Sequence, residues 1–171
     1  GACLSAGMTT LATGSDMGGS VRLPCAYNGL YGFKPPYGRV STLLPLSYFS
    51  GTGPMARTFA DMAVMQNVIA GRTPEEPATL PQLKMPLDYP GIKGMRIAYS
   101  PNLGLLPIDK DTRRELEMAL GVLRGLGAKV EEVKIDPGFT ADDLMELFSM
   151  GALGGAMGGL MAKLADQTDQ M

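Results

Sequence analysis

GSDMGGSVRLP, residues 14–24, is the stretch that decides how this chain is read. Before it, Thr9 to Thr13 are β-branched and apolar enough for a short buried strand. Residues 14–20 are a glycine-rich turn. Residues 20–26 fit a short helix, which Pro24 limits to a turn or two. A strand that feeds such a turn and then a helix brings consecutive backbone N–H groups to one spot. Gly18 and Gly19 supply the unusual dihedrals and leave no side chain in the way. The helix adds its positive end. The expected result is an anion-binding concavity with Ser20 at its inner edge.

Phosphate cradling, acyl transfer and a plain connector all use such a turn. A phosphate loop carries Gly-Lys-Ser/Thr, and no lysine occurs here; the dinucleotide spacing G-x-G-x-x-G is also absent. Acyl transfer fits better. The N–H groups of Met17, Gly18, Gly19 and Ser20 would hold an oxyanion while the Ser20 hydroxyl attacks a carbonyl. Serine needs a base, and the chain has no histidine. That excludes a Ser-His-Asp triad, a Cys-His pair and every metal site built on imidazole. A histidine-free serine hydrolase points to lysine, since a desolvated lysine becomes neutral near pH 7. Lys34 is the only lysine close to the turn in sequence.

Further out, the 171 residues suffice for one domain of ordinary size. Fifteen Lys and Arg against 17 Asp and Glu leave a net charge of −2, so no basic excess suggests nucleic acid. Cys3 and Cys25 cannot make a disulfide framework, and both are expected as small core-packing thiols in a reducing, cytoplasmic setting. No charged stretch followed by an apolar one stands at the start of these residues, so no signal peptide is expected there.

Gly7 is a plausible stop for a first short helix. Residues 29–41 are strand-like but broken by Pro35 and Pro36, and 42–53 are expected to be a loop carrying Tyr48 and Phe49. Thr58 should cap a helix with Asp61 in its first turn, Met62, Met65 and Ile69 along it, and Gly71 at its end. Residues 72–91 are expected to be an irregular surface excursion. Met95–Ala98 fits a strand. Asp109 should cap a helix lined by Leu116, Leu120, Leu123 and Leu126, and Lys129–Ile135 alternates as a strand does. That order predicts an α/β layer with parallel pairing. Leu144–Leu164 is rich in Leu, Met and Gly. Glu146 and Lys163 argue against a membrane span, which needs about 20 apolar residues. A close-packing helix face or a glycine-weakened segment remains.

GSDMGGSVRLPCAYNGLYGFKPPYGRVS, residues 14–41, resembles the core motif of the amidase signature family. Gly14, Asp16, Gly18, Gly19, Ser20, Arg22, Pro24, Gly29, Gly32, Lys34, Pro35, Gly38 and Arg39 match it. GPMARTFADMA, residues 53–63, is similar to a later block of the same family, and residues 91–133 also read like family sequence. Ser15 and Pro36 depart from it; the family has Thr, and Thr or Ser.

The resemblance implies an α/β/α sandwich with a mixed central sheet, incomplete in this chain. Residues 1–70 would form the core motif, 94–135 a strand–helix–strand unit, and 140–166 a Gly/Met-rich helical segment. It implies a hydrolase that cuts a C–N amide bond through an acyl-enzyme with a Ser–Ser–Lys triad. Ser20 matches the nucleophile, and Met17, Gly18, Gly19 and Ser20 match the backbone oxyanion hole. Asp16 and Arg22 match supports of the loop, and Lys34 matches a non-catalytic position. The family's bridging serine and catalytic lysine would both precede Gly1, so the expectation is a fragment of a longer enzyme, inactive by itself.

A small-molecule amide substrate is expected, with no organic cofactor, metal, nucleic acid or membrane, and with homo-oligomers left open. Two rival readings stand beside it. One is the glutaminase-like component of a tRNA-dependent amidotransferase; the other is a non-catalytic binding or structural module. The apolar STLLPLSYFS, residues 41–50, leans towards a less polar substrate than glutamine.

Overall fold

The computed structural model describes residues 1–42 and 49–150. They divide into two compact units, one holding Gly1–Asp88 and the other Tyr89–Ser149. Among the described residues no helix is long and apolar enough to cross a membrane. The architecture is mixed α/β.

The first unit is an antiparallel three-stranded sheet in the order β1–β3–β2, with β1 at Leu11–Asp16, β2 at Tyr31–Gly32 and β3 at Gly51–Ala56. Helices α1 (Ala2–Ser5), α2 (Arg22–Asn28) and α3 (Phe59–Ile69) belong to the same unit. Leu4, Val21, Cys25 and Met55 form its apolar centre, with Ala12 and Leu30 packed against them. Pro24 sits in the first turn of α2, where a backbone N–H has no intrahelical acceptor to lose. Gly29 closes α2 in the left-handed region at φ 63°.

Three expectations change here. Strand β1 starts later than Thr9 and runs on through Gly14, Ser15 and Asp16, residues expected in the turn. It is an edge strand of alternating exposure, not a buried one. The expected loop over 42–53 gives way at Gly51 to β3, the central strand; residues 43–48, Tyr48 among them, lie outside the described residues. GTGPMA has poor strand propensity, but close packing requires it. A Cβ on Gly53 would sit 1.9 Å from the Phe33 carbonyl oxygen. The Pro54 carbonyl accepts the Phe33 N–H at 3.1 Å, although Pro54 donates nothing to the ladder.

Helix α3 follows its sequence signals. The Asp61 N–H donates to Thr58 Oγ1 at 3.1 Å, and Met62 is buried. Gln66, a polar residue with no sequence signal for burial, is only 2% exposed. The 72–91 stretch is irregular but not merely superficial, because Glu76 and Thr79 are buried. The Glu76 carboxylate accepts from Ser41 Oγ at 2.8 Å and from the Thr42 N–H at 2.7 Å. Hydroxyl and backbone donors allow a carboxylate to sit inside an otherwise polar loop.

In the second unit β4 (Arg96–Tyr99), α4 (Lys110–Gly125) and β5 (Lys129–Glu132) form a strand–helix–strand sequence with parallel strands, Arg96 opposite Lys129. Asp109 Oδ1 accepts the N–H groups of Asp111 and Thr112, both at 3.0 Å. Leu120 is buried and Leu116 and Leu123 are half-buried, but Leu126 is exposed beyond the helix end. Strand β5 stops at Glu132 and does not reach Ile135. Helix α5 (Ala141–Phe148) starts from a capping box made by Thr140 and Asp143. The rest of the Gly/Met-rich segment, from 151 on, lies outside the described residues.

Candidate active site

The turn is organised around one carboxylate. Asp16 is the last residue of β1 and has no exposed surface. Its Oδ1 accepts the Gly19 N–H at 2.7 Å and Arg22 Nη2 at 2.9 Å. Its Oδ2 accepts Arg22 Nε at 2.9 Å, the Arg22 N–H at 3.2 Å and the Val21 N–H at 3.3 Å. The two side-chain bonds form a parallel, charge-assisted pair, the strongest class available to a carboxylate. The Arg22 guanidinium therefore holds the Asp16 pKa far below its ordinary 3.8; burial opposes this, and the three backbone N–H groups add to it. Arg22 is raised in turn, chiefly by Asp16. The Arg22 side chain remains half exposed, so the charge pair closes the turn from its solvent side.

Glycine is required at one of the two central positions. Gly19 has φ +127°, and a Cβ there would lie 2.7 Å from Leu23 Cδ1. Gly18 is not in the positive-φ region, so the expected need for two permissive glycines reduces to one. A second adjustment concerns the amides. The Gly19 N–H, one of four expected around an oxyanion, is directed at Asp16. The N–H groups of Met17, Gly18 and Ser20 have no partner among the described residues.

Ser20 is exposed, and its hydroxyl has no hydrogen-bond partner among the described residues. The residue thus stands at the rim of the turn, ahead of α2, with three unoccupied amides on its own stretch of backbone. Such an arrangement can present a nucleophilic oxygen and stabilise negative charge on a carbonyl oxygen.

Cys25 is buried under this turn, where desolvation pushes its thiol pKa up and makes it an inert packing group. Cys3 is exposed, contrary to the expected core role. Lys34 Nζ donates to the Phe49 carbonyl, a structural bond. The family resemblance gave Asp16 and Arg22 as supports of the loop, and Asp16 gathers the Gly19, Val21 and Arg22 N–H groups as well as the guanidinium; the reading of the residues alone did not single it out. The available signal was an Asp three residues before a Gly, since short acidic side chains bond nearby backbone N–H groups in turns.

The pattern that defines the amidase family matches residues 1–167. This chain belongs to the amidase signature family. Over 142 residues it is 38% identical to the A component of the glutamyl-tRNA(Gln) amidotransferase of Carboxydothermus hydrogenoformans, a match covering 78% of the chain and 29% of that protein. The chain therefore spans less than a third of the length of such curated relatives. A bacterial aryl acylamidase of the amidase signature enzymes superposes with a TM-score of 0.83 at 26% identity, over 96% of this chain and 35% of its own. The peptide amidase of Stenotrophomonas maltophilia gives 0.62 at 32% identity, over 77% and 29%.

Proposed function

We propose that this amidase signature chain carries the nucleophile and oxyanion-binding part of an enzyme that hydrolyses a carbon–nitrogen amide bond. The observation that carries the reading is the exposed Ser20 hydroxyl on the same turn as the amides of Met17, Gly18 and Ser20, which have no partner among the described residues, the turn being held by the bond of buried Asp16 to Arg22. Ser20 Oγ attacks the amide carbonyl, and an Oγ–C bond forms as the carbonyl π pair moves to oxygen. The three amides stabilise that oxyanion, while the Gly19 N–H serves indirectly by fixing the turn through Asp16. When the tetrahedral intermediate collapses, the C–N bond breaks and the Oγ proton passes to the departing amine. Water then releases the acid from the acyl-enzyme.

The proton carriers implied by the family resemblance, a bridging serine and a lysine, match no residue among these 171. On this reading such groups would come from outside these 171 residues, which span less than a third of the length of the curated relatives. Residues 1–70 carry the core motif with the nucleophile, and 94–135 form an accessory strand–helix–strand unit. The substrate is a small-molecule amide, and the free thiols of Cys3 and Cys25 fit a cytoplasmic setting.

A second reading has its own support: relatives such as the Carboxydothermus hydrogenoformans protein are amidotransferase components. On that reading the same Ser20 chemistry would release ammonia from glutamine within a complex of several different chains. Glutamine specificity and co-purifying partner chains would mark that case.

The test is a fluorophosphonate probe on the full-length protein, followed by mass spectrometry. The label is expected on Ser20 and is lost in Ser20→Ala; a label on another residue overturns the assignment. Residues 1–171 alone should hydrolyse an aryl amide negligibly. Turnover at enzyme-like rates that Ser20→Ala abolishes would show that the upstream residues are dispensable.

A further inference from the structure

Residue pairing places a second segment at the nucleophile's end of the sheet. Asp16 is opposite Gly51 in the β1–β3 register, so Phe49 and Ser50 run on from β3 beside the turn that starts at Met17. Ser50 is 6% exposed, although the chain around it is irregular. Lys34 holds this segment. Its aliphatic stem crosses Gly51, with Cε and Cγ 3.8 and 3.9 Å from where a Gly51 Cβ would be. Its ammonium donates to the Phe49 carbonyl. A lysine stem lying along backbone with its charged end on a carbonyl is a strap: the stem fixes direction and the ammonium fixes distance.

We propose that Lys34 is a positioning residue for the Ser20 site, holding Phe49–Ser50 as a wall beside the nucleophile turn. The proposal rests on the Ser20 reading for its functional half only. The strap ties the start of β3, opposite Asp16, whereas Asp16 fixes the turn through its own bonds. Loss of the strap should therefore change how an acyl group is bound more than how fast Ser20 reacts.

The experiment uses the full-length protein and a long-chain alkyl fluorophosphonate, separating its saturation constant from its maximal inactivation rate. Lys34→Met should raise the saturation constant about tenfold, the effect of losing a charge-assisted bond, while the maximal rate changes less than about threefold. Lys34→Arg, which keeps a donor at similar reach, should recover most of the binding. In parallel, limited chymotrypsin digestion should cut after Phe49 faster in Lys34→Met than in the parent. An unchanged saturation constant with unchanged cleavage at Phe49 overturns the proposal. A fall in the maximal rate with no change in saturation also overturns it. If the parent takes no label at Ser20, the nucleophile assignment fails, while cleavage at Phe49 still judges the strap.

Discussion

The two units hold themselves together by different means. The first contains a fully buried carboxylate, glycines that admit backbone into near contact, and turns tied by single side chains. The second is a parallel strand pair with two capped helices, and its ion pairs are exposed: the side chains of Arg114, Asp111 and Glu115 are 64%, 68% and 57% accessible. The same residue types therefore have different consequences in the two places. An arginine–carboxylate pair is architecture in the first unit and decoration in the second, because the cost of leaving a partner uncompensated depends on whether water can replace it.

The largest expected contrast is between two arginines. Arg22→Met strands Asp16 in the interior with only backbone donors, and should destabilise the first unit by about 3 kcal/mol. Arg114→Met on α4 should cause no measurable change. Urea titration followed by hydrogen exchange of peptides from each unit separates the two; equal effects would erase the contrast.

Acid should reveal the same asymmetry. The folded-state pKa of Asp16 lies below its ordinary 3.8, so its stabilising contribution is complete above that value. It is lost as pH falls through 3.8 towards the folded-state value. The first unit should weaken when the same titration is run at about pH 3 instead of pH 7, and Asp16→Asn should abolish that part of the slope. A slope that survives Asp16→Asn would assign the effect to other carboxylates.

Smaller effects of opposite sign come from two glycines. Gly53→Ala drives a Cβ into the Phe33 carbonyl and should cost about 2 kcal/mol. Gly121→Ala, in the middle of α4 with nothing within 4 Å of the new atom, should stabilise by about 0.5–1 kcal/mol. Melting curves of the two variants check the signs.

The contrast also explains what could be read from the chain alone. Helices α3 and α4 were legible because Thr58 and Asp109 are local caps whose partners lie within three residues. The parallel pairing followed from the strand–helix–strand order. Strand β3 was not legible: Gly51, Gly53 and Pro54 argue locally against a strand, and only the backbone of Phe33 and its neighbours Lys34 and Pro35, some twenty residues away, makes them suitable. Glu76 was invisible for the same reason, since the groups it binds, Ser41 and Thr42, are distant in sequence. At the site, Ser20 and its glycine turn were visible from spacing. The diversion of the Gly19 amide to Asp16 was not, because spacing counts donors without saying where each one points.

Among the described residues the Ser20 hydroxyl bonds to nothing that holds the turn in shape. Side chain and scaffold are thereby uncoupled at this position. A cysteine, alanine or glycine installed there inherits the turn that Asp16 holds, and the tip can be exchanged, by an experimenter or by descent, without redrawing what lies beneath it.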